Sequence, residues 1–106
     1  MVIRRFDVVR NPNPRTRRPV PYLVVLQSEL LDGLDTRVVA PLARAGGVEG
    51  RAAERLNPAF EVDGERVVML TQMVGAAPLA SLVRVGSLES ERHRIVDALD
   101  LLFSGI

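Results

Sequence analysis

Ahead of Ser87 the apolar residues come in short runs broken by Pro, Gly, Asn and Asp; after it they recur with a helical period. The first run, Phe6 to Val9, is β-prone and closed by Arg10. Asn11 to Pro21 then carries Pro12, Pro14, Pro19 and Pro21. Proline removes the donor that a ladder needs, so this stretch reads as a partly extended loop. Tyr22-Leu23-Val24-Val25-Leu26-Gln27 reads as a buried strand, and Asp32-Gly33 as a turn. Thr36 to Leu42 is another strand, in which Pro41 predicts an edge or a bulge. Ala59 to Val62 and Glu65 to Met73 flank Asp63-Gly64, two residues that tolerate positive φ, so a tight hairpin is predicted there. Ala77 to Val85 supplies a further short strand.

Between these runs Ala43 to Arg55 is ambiguous, because Gly46, Gly47 and Gly50 oppose a stable helix while Arg51 to Arg55 suits a single turn. Ser87 reads as a helix N-cap, with Glu89 and Glu91 complementing the positive end of the dipole. Leu88, Ile95, Leu99, Leu102 and Ile106 then form an apolar stripe, widened by Val96 and Phe103. Arg92, Arg94, Asp97 and Asp100 lie mostly off it. About five or six short strands followed by one helix predict a mainly β fold, a small twisted sheet or barrel with a C-terminal α-helix. No repeat or linker divides residues 1–106, which are expected to form a single domain.

Composition narrows the chemistry. Of the 106 residues, 47% are apolar and 25% charged, an ordinary globular balance. Cysteine is absent, which excludes disulfides and thiolate chemistry. The net charge is only +1, and all 14 basic residues are arginine. Without a basic excess no direct nucleic-acid binding is expected, and without lysine there is no Schiff-base chemistry. Arg15, Arg17 and Arg18 form the one dense basic cluster, read as a solvated loop with contact to phosphate or an acidic partner as the alternative. No apolar run reaches the ~18 residues of a membrane span, and residues 1–7 carry no signal-peptide core, so a cytoplasmic protein is expected. The lone His93 sits between arginines on the helix and reads as solvated. No carboxylates have metal-ligand spacing, and Gly46-Gly47-Val48-Glu49-Gly50 lacks the lysine of a phosphate loop. With Phe6, Tyr22, Phe60 and Phe103 as the aromatics, there is no stacking platform. These absences favour a binding protein over an enzyme, with neither metal nor cofactor.

The ending Leu99-Asp100-Leu101-Leu102-Phe103-Ser104-Gly105-Ile106 carries apolar groups on both sides of the helix. One helix buries one stripe on its own sheet. The rest meets a second copy, waits for a partner, or (through Gly105-Ile106) folds back onto the core.

Leu26 to Asp32, Val39 to Ala43, Leu56-Asn57-Pro58, Met69 to Met73, Pro78 and Leu99 to Ile106 together resemble the CcdB toxins of bacterial toxin–antitoxin modules. Their order and spacing match over nearly the whole chain. The resemblance implies a small SH3-like β-barrel with a C-terminal helix, related to that of the MazF toxins, and a homodimer. It implies a protein that is not an enzyme but binds the DNA gyrase A subunit and traps gyrase on cleaved DNA. It also implies a cognate CcdA-like antitoxin whose disordered C-terminal segment binds and releases the toxin; the contact residues for that partner stay unassigned. By motif, the gyrase-facing surface falls on Leu30, Leu31, Asp100, Phe103, Ser104, Gly105 and Ile106. Two positions depart from the family pattern. Ser104 stands where gyrase poisons carry tryptophan, and Asp100 where they carry a neutral polar residue. Both predict weak or absent poisoning, with fold and dimer retained. The alternatives are a non-toxic homologue that keeps dimerisation and antitoxin binding, and an RNA-cleaving MazF-like toxin. In the latter the loop arginines would stabilise the phosphorane, but no convincing base accompanies them.

Overall fold

In the computed structural model, which describes residues 2–47 and 54–105, the apolar runs become seven strands of one antiparallel sheet. These are β1 (Asp7–Arg10), β2 (Tyr22–Val25), β3 (Thr36–Arg44), β4 (Ala59–Val62), β5 (Glu65–Met69), β6 (Gly75–Pro78) and β7 (Arg84–Ser87). Helix α1 (Arg92–Ser104) follows them. The order β4-β5-β3-β2-β1-β7, with β6 also on β3, curls into a half-barrel of the small SH3-like kind. Among the described residues no helix is long and apolar enough to cross a membrane.

Several strand limits differ from the sequence expectation, each for a local reason. Phe6 stays outside β1 because it holds φ 71° in a turn closed by the Asp7 N–H on the Arg4 carbonyl, 3.1 Å. The run Ala77 to Val85 is not one strand. Its first residues end β6, Leu79–Ser81 form a 3-10 turn closed by the Ser81 hydroxyl on the Pro78 carbonyl, and β7 begins at Arg84. That split raises the strand number above the expected five or six. The second hairpin strand likewise stops at Met69, ahead of a 3-10 turn at Thr71–Met73. Beyond Leu42, β3 continues to Arg44 and a 3-10 turn spans Ala45–Gly47. Val48, Glu49 and Gly50 of the glycine-rich stretch, and Arg51, Ala52 and Ala53 of the expected turn, lie outside the described residues.

Pro41 does not mark an edge. β3 is central, pairing with β2 on one side and with both β5 and β6 on the other. Thr36–Val39 register with β6 and Leu42–Arg44 with β5, so the missing proline N–H falls where β3 changes partner. The Pro41 carbonyl, on that same side, accepts from the Leu70 N–H at 2.9 Å.

The Asp63-Gly64 hairpin forms as expected, with φ of 52° and 78° at the two turn residues. A Cβ at Gly64 would meet nothing within 4 Å, so Gly64→Ala costs only backbone strain. A loss of about 1 kcal/mol is expected, seen as a lower Tm in thermal denaturation.

Alternation along the strands gives the sheet two cores. Val8, Val24, Leu42 and Met69 face Ile95 and Ala98 of α1 on one side. Val9, Leu23, Val25 and Val39 pack with Ile3, Ala77 and Leu82 on the other. Ser87 closes β7 rather than directly preceding α1. Its hydroxyl accepts, at 3.1 Å, from the N–H of Glu89, the first residue of a 3-10 turn (Glu89–Glu91) that leads into the helix at Arg92. The expected stripe holds at Leu88, Ile95 and Leu99, joined by the small, fully buried Ala98. Leu101 and Leu102 are only half-buried, so α1 packs through its N-terminal half and extends its last turn beyond the core.

Candidate functional site

The extended last turn of α1 meets the chain segment that follows β2. Leu26, Gln27 and Ser28 lie just past the end of that strand, and Leu31 in a 3-10 turn at Glu29–Leu31, where the Ser28 hydroxyl accepts from the Leu30 N–H. With Val38 of β3, Val74 ahead of β6, and Leu99 and Phe103 of α1, they line an apolar groove of about 310 Å³. Phe103 is 72% exposed, so the aromatic ring is not tucked into the protein's own interior.

The structure thus brings two expected site residues, Leu31 and Phe103, into one groove. Leu30 does not line it; at 94% exposure it projects to solvent from the same 3-10 turn. Asp100 and Ser104 are exposed on the helix face that carries Phe103, at i, i+3 and i+4 spacing. Gly105 is exposed and left-handed (φ 72°), its N–H closing the helix on the Leu101 carbonyl at 3.0 Å. Ile106 lies outside the described residues. Val38 and Val74 escaped the sequence reading, and only their place beside Leu31 and Phe103 singles them out.

Charges around the helix are organised in pairs. Glu89 holds Arg92 and Glu91 holds Arg94, both at i,i+3 spacing, while the Arg94 guanidinium lies 4.8 Å from the Phe60 ring centre. Asp97 accepts two hydrogen bonds from Arg55, at 2.8 and 3.0 Å. That hydrogen bonding outweighs desolvation and, with a smaller contribution from the arginine's charge, holds the Asp97 carboxyl below the ordinary carboxylate range. Arg55 is pushed upward by the same contact and by the charges of Asp97 and Asp100. A depressed carboxylate pKa stabilises the fold above the unfolded-state value and loses that contribution as pH falls through the folded-state one. An NMR pH titration is therefore expected to place Asp97 below a free aspartate, and Arg55→Gln to return it toward the ordinary value.

The basic loop cluster is divided in its use. Arg17 donates from Nε to the Asn11 carbonyl (2.9 Å) and from its NH2 group to that of Pro12 (3.4 Å), while Arg15 and Arg18 are exposed. Asn11, itself buried, donates to the Thr16 hydroxyl and the Val20 carbonyl, so the proline-rich loop is pinned from within. Among the described residues no group of three or more His, Cys, Asp or Glu side chains is placed to hold a metal ion, and His93 is exposed.

Fold and groove together define a small half-barrel protein whose C-terminal helix presents apolar contact surface. A family model described as CcdB protein matches residues 5–105, and the chain belongs to the CcdB family. Membership gives it a toxin's role in a toxin–antitoxin pair. No curated protein matches the chain closely enough to count as a relative.

Proposed function

We propose that this protein, acting as one unit over residues 1–106 in the cytoplasm, is a gyrase-directed toxin that works by docking rather than by catalysis. Its target is the DNA gyrase A subunit, which it holds on cleaved DNA. The observation that carries the reading is the shared apolar groove of Leu31 and Phe103, two residues distant in sequence that belong to the expected gyrase-facing set. Leu30, Asp100, Ser104, Gly105 and Ile106 complete that expected set. Two copies related by a dyad would join their helix ends into one patch for a two-fold-symmetric target. A disordered antitoxin segment binding the same dimer would make toxicity reversible.

The test is gyrase-mediated DNA cleavage with the purified protein and with Ser104→Trp, alongside binding to the isolated gyrase A subunit. Weak trapping by the native chain and strong trapping by the variant support the reading. Absence of both binding and trapping in both proteins overturns it. Specific cleavage of a long RNA, abolished by Arg17→Ala or Arg18→Ala, would install the ribonuclease reading in its place.

A further inference from the structure

Every residue from 29 to 36 is exposed, and the Glu29–Leu31 turn buries no side chain at all. An excursion of that length, with Leu31 and Leu34 each about half covered, gains little burial energy to offset its conformational entropy, so a free loop would sample many shapes. Two buried polar side chains hold this one. Arg37, only 4% exposed, donates to the carbonyls of Leu34 (2.6 Å), Thr36 (3.0 Å) and Asp32 (2.8 Å). Gln27, buried at the other end, donates to the carbonyls of Leu31 (3.2 Å) and Thr36 (3.1 Å) and accepts from the Val38 N–H (3.1 Å).

Arg37 makes no ion pair among the described residues. A buried charge is ordinarily matched by a carboxylate, and here backbone dipoles from the turn do that work instead. The guanidinium fork suits the task because its several N–H groups reach different carbonyls in one plane. The contacts are to main chain, so they set the shape of the turn without constraining which side chains it displays.

We infer that Gln27 and Arg37 are positioning residues, a two-ended clamp that pre-orders the turn presenting Leu30 and Leu31 to the partner protein. The inference rests on the docking role proposed above for that turn. Pre-ordering removes entropy cost from the binding step, so Arg37 acts on affinity without lining the groove, whereas Gln27 both holds the turn and lines the groove. The carbonyls the clamp holds belong to exposed residues that water can serve equally well, so removing the clamp loosens the turn and leaves the sheet folded.

Hydrogen exchange on Arg37→Met, with Gln27→Met as the second variant, tests the clamp directly. Exchange across residues 29–36 is expected to quicken about tenfold or more while amides of the core strands change about twofold or less. Binding to the gyrase A subunit is then measured in the Ser104→Trp background, as a double-mutant cycle of Arg37→Met with Leu31→Ala. Arg37→Met is expected to weaken binding about tenfold, and its effect to shrink to about twofold once Leu31 is truncated, because the clamp acts through that side chain. Unchanged exchange in the turn, or full additivity with Leu31→Ala, overturns the inference. Absence of gyrase binding by the clamped protein would instead remove the gyrase reading, and the exchange measurement would still decide whether the clamp exists.

Discussion

Ser104→Trp is expected to lower the concentration needed for half-maximal gyrase-mediated DNA cleavage by about 30-fold or more. Ser104 is exposed on the last turn of α1, beside Phe103. An indole there adds an apolar face of ~200 Å² to the rim of the groove and a surface on which an arginine of the partner can stack. Tryptophan anchors at interface centres are worth about 2 kcal/mol or more on truncation, which corresponds to that ratio of affinities. Serine supplies neither area nor stacking. Because the position is exposed in the free protein, its stability should move by no more than about 0.5 kcal/mol. Equal, strong trapping by both proteins would refute the claim that the native chain is a weak poison.

Ile95→Ala is expected to cost about 3 kcal/mol and to lower Tm by roughly 10–20 °C, followed by circular dichroism on heating. Ile95 is fully buried against the sheet, and with Ala98 it is the main attachment of α1. Beyond Ile95 and Ala98 only the partly buried Leu99 packs on that core, since Leu101 and Leu102 are half-buried and Phe103 is exposed. Truncating the isoleucine leaves a cavity beneath the helix and loosens the element that delivers Phe103 to the groove. A Tm within a few degrees of the native value would mean that α1 is held by contacts other than these.

What could be read ahead of the structure was local chemistry. Asp63-Gly64 specifies its turn through backbone preference alone, and the helical period after Ser87 survives because Leu88, Ile95 and Leu99 all face one core. Pro41 misled because a strand's partners are a tertiary property. A proline in mid-sheet is harmless at the seam between β5 and β6, and nothing in its own neighbours announces that seam. Ala98 was missed because a methyl group adds little to an apolar stripe, although close approach of helix to sheet needs a small side chain there. The groove was half legible. Leu31 and Phe103 came from a family pattern, whereas Val38 and Val74 join them only through folding. Gln27 and Arg37 were invisible as a pair, since a polar residue at a strand end looks like surface until its burial is known.

The interrupted rung at Pro41 also divides the molecule mechanically. One greasy layer is sealed by the helix, the other by β6 and the segment carrying Leu82, and the strand between them trades zippers at that proline. β5 and β6 thus hang from β3 by separate sets of rungs, so a substitution that weakens one set leaves the other's hydrogen bonds in place.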